Sequence, residues 1–120
     1  MDYSATTKYI RVSTRKVRLA ADGVRRLTPV AALTALTHMT KSAAVPLAKT
    51  ISSALANAKQ KSVDTSTLRF KTIEVMGGPS MKRFNAVSRG QAHTYKKRMS
   101  HIRITLTDAL KKEEIKTKKQ

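Results

Sequence analysis

Apolar positions along the chain fall first into three helical stripes, then switch to a two-residue period. One long stretch between carries almost none. Behind Ser13 as an N-cap, Val17, Ala20, Ala21 and Val24 recur at threes and fours. That spacing predicts a helix ending near Arg26, with Arg15, Arg18 and Arg26 opposite the apolar face. Gly23 inside it costs about 1 kcal/mol relative to Ala, so either the packing there is close or the helix stops earlier. Thr28-Pro29 is a start signal, with Thr28 as cap and Pro29 at the first helical position. The helix it opens, over VAALTALTHM, is short and rich in small residues that let another helix approach. Thr40 is a cap for a third helix from about Lys41 to Lys61, whose stripe is Ala44, Leu47, Ala48, Ile51, Leu55 and Ala58. Pro46 conflicts with that start and predicts either a kink or a beginning nearer Ala44.

Residues 67–76 are β-rich, and their apolar phase shifts between Phe70 and Ile73, which predicts a bulge or burial on both faces. Ile102, Ile104 and Leu106 alternate with Arg103, Thr105 and Thr107 as in a half-buried strand. Tyr9 to Val12 adds a short edge strand. Between these elements, residues 77–103 hold only sparse apolar side chains: Met81, Phe84, Ala86, Val87, Tyr95 and Met99. Gly77-Gly78-Pro79 opens this stretch as a turn, and Ser88-Arg89-Gly90 is a second turn midway. Two strands folding back as a long hairpin fit the pattern. The expected fold class is α+β: three helices packed on a small three-stranded antiparallel sheet, with a long protruding β-hairpin. No repeat or linker divides the chain, so one domain spans 1–120, with the arm at about 77–103. The tail 109–120 is basic, polar and expected to fray.

Charge decides what the arm is for. Lys and Arg total 25 against 7 acids, a formal +18. No acid lies between Asp22 and Asp64, or between Glu74 and Asp108, so basic residues there have no neutralising neighbour in sequence. The arm holds seven basic residues and no acid. A two-stranded ribbon is marginal in water, and one this cationic gains order from a polyanion, nucleic acid before any other. Aromatics are scarce, which favours duplex shape and phosphate contact over a stacking platform for single-stranded bases.

Other chemistries find little support. No Cys is present, excluding disulfides and Cys-based metal sites. No apolar run reaches the roughly 18–20 residues that span a bilayer, and the first residues lack a signal peptide's apolar core, so a cytoplasmic location is expected. His38, His93 and His101 show no metal-ligand spacing. Ser100 and His101 are no catalytic dyad, because adjacent strand residues point to opposite faces. Gly77-Gly78-Pro79 lacks the helix and Lys of a phosphate-binding loop. No enzyme, cofactor or small-molecule substrate is expected. Three clusters remain: Arg11 to Arg18, Lys82 with Arg83, and Lys96 to Arg98. Lys offers a mobile point charge and Arg a planar fork for phosphate.

Four segments carry a resemblance: RKVRLAAD (15–22), SALANA (53–58), GPSMKR (78–83) and KRMSHI (97–102). They resemble, collinearly from about Tyr9 to Asp108, the bacterial large-subunit ribosomal protein L-twenty-two (universal uL-twenty-two) family. The resemblance implies an α+β body and a hairpin that lines the nascent-peptide exit tunnel. It also implies binding to several domains of large-subunit rRNA, a role in early assembly, and links to macrolide resistance and nascent-chain stalling. Family members usually carry a Pro-Arg-Ala-x-Gly-Arg-Ala tip. Here Ala86, Val87, Ser88, Arg89, Gly90, Gln91 and Ala92 occupy it, with Val87 and Gln91 where Arg is usual. Pro46 replaces a usually aliphatic residue.

The expected function is therefore that of a structural rRNA-binding protein of the large subunit. Arg11, Arg15, Lys16, Arg18, Lys82, Arg83, Arg89, Lys96, Lys97, Arg98, His101 and Arg103 are the expected rRNA contacts. Asn85, Ala86, Val87, Ser88, Arg89, Gly90, Gln91 and Ala92 are the expected tunnel-facing tip. Partners implied are large-subunit rRNA, neighbouring ribosomal proteins and the nascent polypeptide, with no membrane. The rival reading is a DNA-binding architectural protein with a basic β-arm. A cationic membrane-active protein fits less well, because the third helix carries little Lys on one face.

Overall fold

A computed structural model describes residues 1–108 of the chain. The predicted tail at 109–120 lies outside the described residues. In chain order the elements are β1 (Asp2–Ile10), α1 (Thr14–Val24), α2 (Pro29–His38), α3 (Ala44–Gln60), β2 (Arg69–Gly77), β3 (Met81–Ala86), β4 (Ala92–Lys97) and β5 (Ser100–Thr107). β1, β5 and β2 form an antiparallel sheet in that order, and β3 and β4 form a separate two-stranded sheet.

The core lies where one sheet face meets the helices. Ile102, Ile104 and Leu106 of the central strand are fully buried, beside Tyr3, Ile73 and Val75. α1 contributes Val17, Ala20, Ala21 and Val24, the predicted stripe. α3 lies over β1 and β5 with Leu47, Ile51, Ala54, Leu55 and Ala58 buried. α2 packs mainly against α3 through Ala32 and Leu36 rather than on the sheet. Side chains of α1 and of its C-cap also blunt the β2 edge. Arg18 Nη2 donates to the Val75 carbonyl at 3.1 Å and Arg25 Nη2 to that of Ile73 at 3.4 Å. These bonds satisfy carbonyls that an edge strand otherwise leaves open.

Several expectations are revised. The edge strand runs from Asp2 to Ile10, not from Tyr9 to Val12. Its inward side is Tyr3, Ala5 and Thr7, too small and polar to read as an apolar alternation. Tyr9, at φ 60°, instead sits at the irregularity in the β1–β5 register between Thr7 and Ile10. α3 starts at Ala44 rather than Lys41, the later beginning that Pro46 predicted as the alternative to a kink, so Pro46 falls in its first turn, where no N–H is required. α1 stops at Val24, one residue past Gly23 and short of Arg26, and Ser13 caps it by position without a side-chain bond. Thr28 accepts from Ala31 N–H at 3.4 Å with Pro29 at the helix start, and β2 is bulged between Phe70 and Thr72, both as predicted.

Candidate nucleic-acid interface

The arm is a ribbon whose register follows from its sequence. Lys82 faces Lys96, Phe84 faces Thr94 and Ala86 faces Ala92 on one side; Met81 faces Lys97, Arg83 faces Tyr95 and Asn85 faces His93 on the other. Directly opposed residues share a face. Each side therefore carries two cations, and the Lys82–Lys96 pair sets like charges against each other. Apart from Met81, every side chain of the two strands is exposed. The arm stretches the molecule to 69 × 30 × 24 Å with a radius of gyration of 18.1 Å; a globular chain this long would have about 14 Å.

At the tip, Val87 N–H donates to the Gln91 carbonyl at 3.0 Å. Arg89 and Gly90 both take left-handed backbone, φ 65° and 67°. Gly accepts that conformation freely, whereas Arg89 is strained there. The predicted turn at Ser88-Arg89-Gly90 is thus in place, and residues 85–92 form the far end of the molecule, packed on nothing.

The arm root is where sequence-distant clusters converge. A concave notch of about 270 Å³ is lined by Arg11, Val12, Ser13, Lys16, Ser42, Lys96, Lys97 and Arg98. The segment entering α1 and the end of β4, two of the three predicted clusters, build it together; only Ser42, from the α2–α3 connection, was not foreseen. Arg15, Lys16 and Arg18 line a second, open hollow with Leu19 and Asp22. Lys82 joins Thr94, Tyr95, Lys96 and Arg98 around a third, of about 420 Å³. Lys96 and Arg98 thus border two concavities at once. The notch and the third hollow bring cations together with no acid in their linings, so an incoming anion would relieve the mutual repulsion there.

Two predicted contacts are engaged within the protein. Arg103 Nη1 lies 3.8 Å from Glu74 Oε2, its cross-strand partner, so a β2 acid partly neutralises a cation that no sequence neighbour could. His101 Nδ1 accepts Tyr9 N–H at 3.0 Å, and the two rings meet edge to face at 5.1 Å. Arg18 divides its charge between the hollow on α1 and the Val75 carbonyl. Among the described residues no group of three or more His, Asp or Glu side chains is placed to hold a metal ion.

A helix-on-sheet body that extends a cationic ribbon, with its basic clusters gathered at the joint, is the build of a structural binding protein. The family described as Ribosomal protein L22p/L17e matches residues 5–107. The chain is similar to the large ribosomal subunit protein uL22 of Desulfotalea psychrophila, 45% identical over 109 residues that cover 90% of this chain and 99% of the relative. It is 44% identical over 107 residues to the uL22 of Anaeromyxobacter sp. strain K, covering 88% of this chain and 73% of the relative. Against the uL22 of Mesoplasma florum the identity is 40% over 109 residues, 90% of this chain and 97% of the relative. The chain belongs to this ribosomal-protein family, whose members are structural components of the large subunit and not enzymes.

Proposed function

We propose that this chain is a structural constituent of the large ribosomal subunit, acting in the bacterial cytoplasm. It binds large-subunit rRNA by its arm root and lines the nascent-peptide exit tunnel with its arm tip. The observation that carries the rRNA assignment is the convergence of Arg11 and Lys16 with Lys96, Lys97 and Arg98 around one notch. Arg15, Arg18, Lys82 and Arg83 extend this surface over α1 and along the arm, and Arg89 takes it to the tip. Arg103 and His101 hold secondary positions on it, through the atoms that Glu74 and Tyr9 leave over. The tip, residues 85–92, reads as the tunnel element because it is exposed and remote from the body. Its Val87 and Gln91 make it less cationic than the usual family tip. Neighbouring ribosomal proteins and the nascent polypeptide complete the set of partners.

Phosphate contact makes a quantitative demand. Log affinity for a large-subunit rRNA transcript should fall linearly with log salt, with a slope of about −0.7 to −0.9 per neutralised phosphate. Lys96→Ala and Lys97→Ala should each flatten that slope by somewhat less than one contact. An affinity that ignores salt would overturn the assignment. In the assembled particle, the protein should stay with large subunits through a high-salt wash. A photo-crosslinking residue at Ser88 should capture the nascent chain.

A further inference from the structure

β1 and β5 lose their regular pairing at one place. Thr7 faces Ile102 and Ile10 faces Ser100, so three steps along β1 match two along β5. An extra residue on one strand is a bulge, and it leaves a backbone group without its ladder partner. Here that group is the Tyr9 N–H, and a side chain takes the partner's place: His101 Nδ1 accepts it at 3.0 Å. The imidazole is set for this from two sides. The Tyr9 ring meets it edge to face at 5.1 Å. Its other edge lies against Gly78, where a Cβ would come within 3.1 Å of Cε1 and 3.2 Å of Nε2. Tyr9 itself takes φ 60°, a left-handed conformation that a residue with a Cβ resists and that something must hold.

The extra residue changes which side chains face out. Ahead of it Tyr3, Ala5 and Thr7 are the more buried positions, and Ser4, Thr6 and Lys8 the exposed ones. Continued unbroken, that alternation would turn Tyr9 and Arg11 inward and Ile10 outward, because a shift of one residue reverses every side chain. Instead Tyr9 is 61% exposed, Ile10 joins the core and Arg11 is exposed. Arg11 then lines the notch with Lys16, Lys96, Lys97 and Arg98.

We propose that His101 is a positioning residue for the RNA site. Its Nδ1 lone pair holds the extra residue of β1, and with it the phase that puts Ile10 in the core and Arg11 in the notch. The imidazole does this as the tautomer with its proton on Nε2, since Nδ1 has to be a bare acceptor. The role rests on the reading of the notch as the site of rRNA phosphate. Its main contribution to binding runs through Arg11 rather than through a contact of His101 with RNA.

The test titrates the full chain with a large-subunit rRNA transcript over a range of salt. Arg11→Ala should flatten the slope of log affinity against log salt by about 0.7–0.9, one phosphate contact. His101→Leu, which fills the space but cannot accept a hydrogen bond, should flatten it by the same amount. His101→Asn, whose Oδ1 can stand in for Nδ1, should recover most of the slope. Arg11→Ala combined with His101→Leu should bind no worse than Arg11→Ala alone, because both changes remove one contact. A His101→Leu protein with the wild-type slope, an Asn variant no better than Leu, or losses that add in the double variant overturn the role. If Arg11→Ala flattens the slope and His101→Leu does not, phosphate binding in the notch stands and the role of His101 falls. If Arg11→Ala leaves the slope unchanged, the reading of the notch fails at Arg11, and the role of His101 goes with it. Nitrogen NMR of the wild-type imidazole needs no variant to fold: Nδ1 should be the bare nitrogen and Nε2 the protonated one, and the reverse overturns the clasp.

Discussion

The joint between body and arm depends on a few side chains that fit around Gly78. A Cβ there would lie 3.1 Å from His101 Cε1, 3.2 Å from Nε2 and 3.3 Å from the Met99 carbonyl oxygen. Neither neighbour yields easily. His101 is fixed by the Tyr9 N–H and ring, and Met99 O accepts the Gly78 N–H at 2.9 Å. Gly78→Ala should therefore cost about 1–3 kcal/mol, as overpacking does, read as a lower denaturation midpoint. In a His101→Ala background part of that cost should disappear, because one of the two obstacles is gone. Ser100, the next residue back, is the opposite case. Its Oγ is buried without a hydrogen-bond partner, so Ser100→Ala removes an unsatisfied group. The variant should unfold at the same or a slightly higher denaturant concentration, by up to about 1 kcal/mol. A large destabilisation would mean that the hydroxyl is satisfied in solution.

Among the elements, the sheet and the arm differ in what holds them. The sheet has a packed face and a clasp across its edges: Lys71 Nζ of β2 reaches Asp2 Oδ2 of β1 at 2.7 Å, spanning the central strand. That ammonium holds the Asp2 carboxyl below its ordinary range. A carboxyl with a depressed folded-state pKa favours the fold above its unfolded value and ceases to as pH falls through the folded one. Asp2→Asn should therefore lower stability slightly near neutrality, flatten its acid limb, and leave stability unchanged at pH below the folded-state value, where the wild-type carboxyl is itself neutral. The arm has neither packing nor clasp, and it sets Lys82 against Lys96. Amides at 82–98 should exchange rapidly in the free protein while those at 47–58 and 102–106 are protected, and RNA should slow the former. Strong protection of the arm in free protein would show that the ribbon is stable by itself. The contrast explains what was legible. Helices α1 and α2, the β2 bulge, β5 and the arm announce themselves through apolar period, turn residues or charge. β1 does not, because its inward Thr7 is satisfied by a hydroxyl contact with Thr50 at 2.8 Å rather than by apolar burial. The start of α3 was decided by Pro46, not by the cap signal at Thr40. The candidate site was legible as three clusters but not as the concavities they build, since the meeting of residues 11–16 with 96–98 is a property of the fold.

At the scale of the whole molecule, stability and reach are assigned to different parts of the chain. The body buries Ile51, Ile102 and Ile104 completely, while residues 85–91 are exposed. Ile51→Ala should cost about 2–5 kcal/mol, a fully buried aliphatic lost from a packed core. Shortening the tip, so that β3 and β4 join by a tight turn after Asn85, removes no core contact and should leave the denaturation midpoint nearly unchanged. The cations at Arg11, Lys16, Lys82 and Lys96–Arg98 all lie on the body side of that cut. If they carry the anchoring, the shortened protein should enter large subunits as well as the full chain does and resist the same salt wash. What should change is the path of the nascent chain, seen as an altered response to stalling sequences and to macrolides. The competing outcome is a shortened protein that folds but no longer assembles. Arg89 and its neighbours would then be anchors, and the assignment of residues 85–92 to the tunnel wall would have to be given up.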